Sequence, residues 1–354
     1  MDSSLSRVLE LSGEAALLVK RGRVSYANAA ARRMLGEDCV GKRPEALLGQ
    51  PVAEAQSGSF VAGLPLGANG CILRSTKIEG EQLFFLSQPE PAPALLNEPF
   101  LFQLRSELMN LSLSTDLLRQ WAESAGDERP LSSARSLARS YSRLKRLTAN
   151  AALVLSHCKG QLSARRVPCD LSDLFDNLLH TVTELDPGIP LRWDLGKRIC
   201  ALASPEQLRQ LLLNLLSNAM VHGKGLSRIS VSLTETGGSI VLSVDDDGCG
   251  IPADGMHSVF ERYRFPYATS EMSGGAGLGL SVCRLITAQH GGVLLLESRE
   301  GKGTAVRACL GRSIPSDELL RSAVEDAGER IMQEVLLGLA DCLPEACFTE
   351  RFAD

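Results

Sequence analysis

The stretch from Ser204 to Gly223, SPEQLRQLLLNLLSNAMVHG, most constrains the fold of this 354-residue chain. Serine is favoured at a helix N-cap, Pro205 suits the first helical position, and Gln207 stands at the third position of a capping box. Apolar residues then recur at spacings of three and four: Leu208, Leu211, Leu212, Leu215, Leu216 and Ala219. This spacing predicts a long helix with one face buried in a core.

Two asparagines, Asn214 and Asn218, lie one helical turn apart on the other face of this helix. Side chains four residues apart point in the same direction, so both amides can contact one ligand. Paired asparagines also occur on the solvated edges of ordinary helices, and the pair alone leaves both interpretations open. The two segments that follow favour a ligand site.

The first of these segments is SIVLSVDDDGCGIP, a predicted strand that runs into a glycine-containing turn. Gly248 and Gly250 allow the backbone to pass close to a flat ligand, and the carboxylate of Asp246 can accept a hydrogen bond. These three residues predict a second wall of the same site.

The second segment, SGGAGLGLSVCRLITAQHGG, places Gly275, Gly277 and Gly279 directly before a predicted helix. The free amides at a helix N-terminus attract phosphate. Leu280 stands where a dinucleotide fingerprint needs its third glycine, and the chain has no G-x-x-x-x-G-K-[ST] sequence. The segment therefore predicts a phosphate contact outside both common motifs.

The order of the motifs is N-x-x-x-N-A, D-x-G-x-G, F-E-R, G-x-G-L-G-L and H-G-G. This order resembles the GHKL ATP-binding domain of sensor histidine kinases, in the wider group that includes Hsp90, gyrase and MutL. The resemblance covers residues 167–311 densely, and it implies a mixed α/β sandwich that binds ATP and magnesium.

The resemblance also assigns roles to the motif residues. Asn218 is the implied magnesium ligand, Asn214 lies near the phosphates, and Asp246 accepts from the adenine amino group. The implied glycine contacts are Gly248 and Gly250 at the base, and Gly275, Gly277 and Gly279 in a lid over the triphosphate. The lid would be the segment ADGMHSVFERYRFPYATSEMSGG. The chain departs from the family at Val221, where a Lys or Arg is common.

The helical hairpin predicted for residues 100–160 carries a second departure. Alternating steps of three and four predict two helices around the turn AGDERP, and the resemblance implies that two such hairpins form a dimeric four-helix bundle. In histidine kinases the first helix carries H-E-L-R-T-P-L, but here the sequence is FQLRSEL and Phe102 replaces the phosphate-accepting histidine. A phenyl ring has no atom that attacks phosphate, so phosphorylation at this position is excluded. Ser106 stands where the family has a hydroxyl or amide that orients water.

The remaining segments complete an α+β multidomain organisation. Residues 1–88 resemble a PAS sensor domain, in which Asn28 ends a strand and caps a helix, although asparagine is also a general helix cap. Residues 89–99 form a proline-rich linker, and residues 161–312 form the ATP-binding domain. Residues 313–354 predict an added amphipathic helix and a tail, and we expect this helix to pack back on the ATP-binding domain.

Composition excludes several classes of function. A formal net charge of −5 argues against binding to nucleic acid or to an anionic membrane. No apolar run is long enough to span a bilayer and the first residues lack signal-peptide features, so we expect a cytoplasmic protein. The ten cysteines form no C-x-x-C pair, which favours scattered thiols over a zinc site.

These features lead to one main hypothesis and to alternatives. The main hypothesis is a histidine-kinase-like homodimer of a two-component system that binds ATP and magnesium and acts on a response-regulator receiver domain or on another histidine kinase. One alternative is a phosphatase toward the receiver that uses Ser106. Others are a kinase acting in trans, or phosphorylating a residue such as His157, and a non-enzymatic scaffold gated by ATP.

Overall fold

A computed structural model describes residues 9–10, 14–49, 60–64, 71–78, 81–87, 98–125, 128–158, 165–223, 225–236, 238–252, 256, 278–311 and 328–348. The strands are β1 (Ala15–Lys20), β2 (Arg23–Ala27), β3 (Phe60–Leu64), β4 (Cys71–Ile78), β5 (Glu81–Ser87), β6 (Val167–Asp170), β7 (Leu191–Leu195), β8 (Cys200–Ala203), β9 (Ile229–Thr236), β10 (Ser239–Asp246), β11 (Val293–Arg299) and β12 (Gly303–Gly311). The α-helices are α1 (Ala29–Leu35), α2 (Pro44–Leu48), α3 (Glu98–Ala125), α4 (Glu128–Cys158), α5 (Leu171–Glu184), α6 (Pro205–His222), α7 (Gly279–Gln289) and α8 (Gly328–Gly338). This α+β architecture was predicted.

The first five strands form an antiparallel sheet in the order β2-β1-β5-β4-β3. Asn28 lies buried between β2 and α1, and its Oδ1 accepts hydrogen bonds from the amides of Ala31 at 2.9 Å and Ala16 at 3.0 Å. Its Nδ2 donates to the carbonyl of Glu14 at 2.8 Å. The prediction that Asn28 caps a helix is therefore confirmed, and the same amide fixes that helix to β1.

The predicted helical hairpin is formed by α3 and α4, which pack against each other. Eight of the positions that the three- and four-residue steps predict for the helical seam are buried: Leu101, Leu108, Thr115, Ala134, Tyr141, Thr148, Ala151 and Leu155. Three others, Leu111, Leu137 and Leu144, are exposed, so the prediction that they are buried within one chain is wrong. Four further apolar residues are exposed: Met109, Leu113, Leu117 and Trp121. Although α3 and α4 have 28 and 31 residues, neither they nor any other described helix is apolar enough to span a bilayer.

The predicted ATP-binding domain contains a sheet with the order β11-β12-β10-β9-β7. The hairpins predicted from the sequence are β9–β10 and β11–β12, both antiparallel, while β7 pairs parallel to β9. Helices α5, α6 and α7 cover one face, and buried residues such as Phe175, Leu212 and Ile286 join the core. This layered arrangement places the C-terminal end of α6, the end of β10 and the start of α7 close together.

The N-terminal sheet and this second sheet are continuous because β3 pairs antiparallel with β11, with Ala62 opposite Leu295. A glycine is required in this contact. A Cβ atom at Gly63 would lie 2.4 Å from Cδ of Arg284, a buried side chain of α7. The sequence predicted two separate domains on either side of the hairpin and gave no sign of a shared sheet.

The start of α6 corrects one detail of the sequence analysis. The helix begins at Pro205, as predicted, but the Ser204 side chain makes no capping hydrogen bond. In a capping box, Gln207 would accept from the backbone N–H of Ser204. That N–H instead donates to Nε2 of His290 at 3.1 Å, and Oε1 of Gln207 has no partner among the described residues. The predicted capping box is therefore wrong.

The C-terminal helix predicted from the sequence lies partly within the described residues. Helix α8 covers its second half, and Ile331, Val335 and Leu339 are buried as the spacing predicted. The helix contacts α4, α5 and α6. Packing onto the predicted ATP-binding domain is thus confirmed, and the hairpin is an additional contact. The positions Leu320, Val324 and Ala327 lie outside the described residues.

Candidate functional site

The two asparagines of α6 supply the centre of the candidate site. Asn214 is 5% exposed and Asn218 is partly buried. The Nδ2 atoms of both side chains are buried and have no hydrogen-bond partner among the residues that the structure describes. Burying an amide without a partner costs about 1–3 kcal/mol, so such atoms in a folded protein normally bind water, an ion or a ligand.

The start of α7 lies directly beside Asn218. A Cβ atom added at Gly279, the first residue of α7, would lie 3.2 Å from Oδ1 and 3.5 Å from Nδ2 of Asn218. No side chain among the described residues caps this helix. Its first backbone amides are therefore available to a ligand. Ser281, two residues further along, is buried and its Oγ also lacks a partner there. The polar groups at this helix end are therefore arranged for an anionic ligand.

Asp246 forms the second wall, at the end of β10. Its Oδ1 accepts from the amides of Gly248 at 3.0 Å and Thr304 at 3.3 Å. Burial raises the pKa of this carboxyl above its usual value, while the two amides oppose that effect. The hydroxyl of Thr304 lies 2.8 Å from Oγ of Ser298. The carboxylate is thus held in place and keeps acceptor capacity for a ligand.

The neighbouring acidic residues do not share this environment. Asp247 accepts hydrogen bonds from the hydroxyl and amide of Ser227 and from the amide of Arg228, and these bonds lower its pKa to about 2. Asp245 precedes Asp246 in β10, so it points to the opposite face of the sheet. There it accepts from the hydroxyl of Ser243 at 2.9 Å. Of the three, only Asp246 accepts from the amide of Gly248, the glycine that packs on the end of α6.

Close backbone contacts bring the end of α6 against the Asp246 turn. A Cβ atom at Gly248 would lie 2.6 Å from the Cα of Gly223, the residue that ends α6. Gly250 has a φ of +66°, and a Cβ there would lie 2.1 Å from the carbonyl oxygen of Arg299. Both glycines are therefore needed where the sequence placed them, and in the structure the atoms that require them belong mainly to protein backbone.

Most of the nucleotide-site positions predicted from the sequence are described, and they converge on one site: Asn214, Asn218, Asp246, Gly248, Gly250 and Gly279. Gly275 and Gly277 lie outside the described residues, as do most of the predicted lid, Phe260, Arg262 and Arg264. The sequence analysis missed Ser281, Ser298 and Thr304. The signal for Thr304 was its place in GKGTAV, where it pairs with Asp246 in the β10–β12 ladder.

The hairpin residues lie apart from this site in the chain and on a different element. Phe102 belongs to α3, and its side chain lies outside the described ones. Ser106 is exposed on the same helix. His157, considered as another phosphate acceptor, is half-buried near the end of α4. His290 is buried and neutral in character, because burial lowers its pKa.

Comparison with known proteins supports the interpretation of this site. The family model of the histidine kinase-, DNA gyrase B- and HSP90-like ATPases matches residues 203–314, which contain all six converging positions. The chain is 36% identical over 140 residues to the sensor histidine kinase RppB of Synechocystis sp., a match that covers 38% of this chain and 31% of RppB. It is 37% identical over 138 residues to the sensor histidine kinase ZraS of Escherichia coli, covering 38% of this chain and 29% of ZraS.

These matches concern one part of the chain, and they span about a third of the length of the curated relatives. The crystal structure of the ATP-binding domain of PrrB from Mycobacterium tuberculosis aligns with 25% identity and a TM-score of 0.35, covering 42% of this chain and 99% of that domain. The order of the motifs, the six positions that converge and the matches in sequence lead to one conclusion: residues 203–314 of this chain are an ATPase domain of the histidine kinase-, DNA gyrase B- and HSP90-like family, similar to the corresponding part of sensor histidine kinases.

Proposed function

We propose that this chain binds ATP together with Mg²⁺ at the site between α6, the end of β10 and the start of α7. The observation that carries the proposal is the pair of buried amide nitrogens of Asn214 and Asn218, which have no partner within the described part of the chain, together with the closeness of Asn218 to Gly279. Phosphate oxygens would satisfy these donors, and the absence of a side chain at Gly279 leaves space for them. The donor set therefore fits a triphosphate with its metal ion.

Each residue contributes a separate interaction in this proposal. Magnesium prefers oxygen ligands, and the side-chain carbonyl of Asn218 supplies one. A bound magnesium ion would neutralise phosphate charge. Asn214 donates to a phosphate oxygen, and the first amides of α7 with the hydroxyl of Ser281 hold the phosphates from the other side. Val221 contributes no charge where relatives of the family commonly have one.

Asp246 would select the base. Its carboxylate accepts from the adenine amino group, and such a bond is stronger than one between neutral groups. The amides of Gly248 and Thr304 hold the carboxylate in one orientation, which lowers the entropy lost when the base binds. A guanine base presents a carbonyl oxygen at the same position, so two acceptors would face each other.

We further propose a signalling role without phosphorylation of the hairpin. Phe102 cannot accept phosphate, so the chain would act on a response-regulator receiver domain or on another histidine kinase, with nucleotide occupancy setting its conformation. The first strands would serve as a PAS-like sensor domain, and the exposed apolar residues of α3 and α4 would form a homodimer. This is the histidine-kinase-like role expected for a two-component system.

Nucleotide binding is tested by titrating the full chain with ATP and Mg²⁺ in a calorimeter. Saturable binding is expected, and Asn218→Ala should weaken it by about tenfold to a hundredfold, because one charged-ligand contact is lost. Asn177→Ala is a matched control, since Asn177 is exposed on α5. Wild-type protein that shows no saturable binding, or equal affinity in the Asn218 variant, would contradict the proposal.

One alternative has its own observation: Ser106 is exposed on α3, at the place where the family orients water. A phosphatase would shorten the lifetime of the acyl phosphate on a partner receiver, and Ser106→Ala would remove this effect. Ser114→Ala, at another exposed serine of α3, is the control. The kinase alternative is tested by incubating the chain with labelled ATP and then treating it with acid. Label on phosphohistidine is lost in acid, whereas label on phosphoserine is retained.

A further inference from the structure

The described C-terminal residues 328–348 form a segment that joins two parts of the protein. It consists of α8 and the short turn that follows, and we name it the C-terminal clamp. Its buried residues are Ile331, Val335, Leu336, Leu339, Ala340, Leu343 and Phe348. These residues pack on α5 and α6 of the ATPase-type domain and on α4 of the hairpin. The segment therefore contacts both bodies at once.

On the hairpin side, the clamp is bound by three arginines of α4. Nε of Arg143 lies 2.9 Å from Oδ1 of Asp341, and Arg146 pairs with Oδ2 of the same carboxylate. Arg139 donates to the carbonyl oxygens of Ala340 at 3.0 Å and Asp341 at 3.1 Å. The arginines are spaced by four and three residues, so they share one face of α4. Asp341 is 11% exposed, which limits screening of its charge by solvent.

On the other side, the clamp contacts α6 between the two asparagines of the nucleotide site. Gly338 packs on Leu213, because a Cβ atom at this glycine would lie 2.8 Å from the Cβ of Leu213. Arg146 donates to Oγ of Ser217 at 2.8 Å as well as to Asp341. Arg146 thus connects the hairpin, the clamp and α6. Leu213 and Ser217 each directly precede an asparagine of the site.

The clamp contacts α4 at a defined distance from the turn of the hairpin. Because α3 ends at Ala125 and α4 begins at Glu128, Arg146 and Glu107 lie the same number of residues from the turn. Glu107 follows Ser106. The clamp therefore holds the ATPase-type domain against α4 at the level of the hairpin region where the family performs its phosphate chemistry.

We propose that residues 328–348 are a clamp that fixes the ATPase-type domain against α4 and couples the hairpin to the backbone of α6. Without the clamp, the described polar contacts of α4 with the domain include the hydrogen bond of Gln210 to Asn150 at 2.9 Å. Breaking the clamp at Asp341 leaves Arg143 and Arg146 without their carboxylate, and removing one partner of a buried ion pair is strongly destabilising. The middle of α4 is then no longer held against the domain, while Ala151, Val154 and Leu155 near its end remain packed in the core of the domain. That the coupling reaches nucleotide binding is the part that rests on the proposed function.

The test is hydrogen–deuterium exchange of the full chain, without nucleotide, in the wild type and in Asp341→Asn. Exchange of the backbone amides in 139–150, in 208–222 and in 328–348 should become about tenfold faster or more, because hydrogen bonds between charged groups are lost. Glu329→Gln is the matched control. It removes one carboxylate charge from the same helix at an exposed position, so exchange should remain unchanged.

Faster exchange confined to 328–348, or no change in any segment, would overturn the clamp. If Asp341→Asn does not fold, Arg143→Gln removes the more exposed partner of Asp341 and is judged by the same criteria. A nucleotide titration of the wild type is run in parallel. Failure of ATP binding would remove the proposed function and leave the exchange result intact, so the two failures are distinguishable.

Discussion

Nε2 of the His290 imidazole accepts a hydrogen bond from the backbone N–H of Ser204 at 3.1 Å, across 86 residues of sequence. Nδ1 of the same ring lies 2.8 Å from the carbonyl oxygen of Ile286 and must donate to it, which fixes the tautomer. The end of α7 is thereby joined to the start of α6. Because these two helices carry Gly279 and Asn218, this bond fixes the relative position of two parts of the proposed nucleotide site.

Replacing this imidazole should destabilise the protein. His290→Ala leaves the Ser204 amide and the Ile286 carbonyl without their buried partner, and we expect a loss of about 1–3 kcal/mol in the free energy of unfolding. Urea denaturation followed by circular dichroism measures it. His180→Ala is the control, because His180 is exposed and its ion pair with Asp176 lies at the surface. Equal losses of unfolding free energy in both variants would show that the two hydrogen bonds of His290 stabilise the protein no more than a surface ion pair does.

The same histidine predicts a dependence of stability on pH. Burial lowers its pKa below the usual value of about 6.5, so the unfolded chain binds a proton before the folded chain does. Its contribution to stability is complete above about pH 6.5 and is lost as the pH falls toward the lowered pKa. Urea midpoints between pH 8 and pH 5 should fall in the wild type and fall less in His290→Gln. If the urea midpoints of the wild type and of His290→Gln change with pH in the same way, the lowered pKa of His290 does not cause the pH dependence.

A side chain at Gly63 should disturb the junction of the two sheets. Gly63→Val places methyl groups where Arg284 now lies, and overpacking of this kind costs about 1–3 kcal/mol. We expect a lower thermal midpoint and faster hydrogen exchange in β3 and β11. Lys77→Ala, at an exposed position of the neighbouring strand β4, should leave both unchanged. If the amides of β11 exchange in Gly63→Val at the same rate as in the wild type, the continuous sheet is contradicted.

Nucleotide affinity should fall in acid through Asp246. Burial raises the pKa of its carboxyl, so it becomes protonated at a higher pH than an ordinary aspartate, whose pKa is about 3.9. The protonated form cannot accept from the adenine amino group at the protonated oxygen. The dissociation constant of ATP should therefore rise as the pH falls from 7 toward 4. In Asp246→Asn the affinity should be lower at pH 7, and this part of the pH dependence should be missing. If the dissociation constant of ATP changes with pH equally in the wild type and in Asp246→Asn, Asp246 does not bind the base.

The exposed apolar residues of the hairpin should mediate dimerisation. Met109, Leu113, Leu117 and Trp121 recur every four residues on α3, and all four are more than half exposed in the single chain. Leu113→Glu should raise the dissociation constant of the dimer at least about a hundredfold, because two copies of the side chain leave the interface. Sedimentation velocity measures this, with Asn177→Glu, at an exposed position of α5, as control. A monomeric wild type would contradict the proposed homodimer.

Much of the site was predictable because its residues lie in short, local motifs. Asn214 and Asn218 share a helix face through their spacing alone. Gly248 and Gly250 predict a tight turn directly after the strand that ends at Asp246. The capping box failed for a nonlocal reason, since His290 from another helix takes the amide that Gln207 needed. Thr304 was missed because its partner Asp246 lies 58 residues away, and only the β10–β12 register brings the two together.

The sequence by itself determined the elements that carry local periodicity: the helix with the paired asparagines, the strand hairpins and the helical hairpin with Phe102 in its first helix. Only the tertiary structure decided that β3 joins β11 in one sheet and that Asp341 binds the arginines of α4. Hydrogen bonds between strand edges and ion pairs between distant residues leave no periodic trace in a single sequence. They depend on which surfaces meet after the local elements have formed, and that is settled by packing.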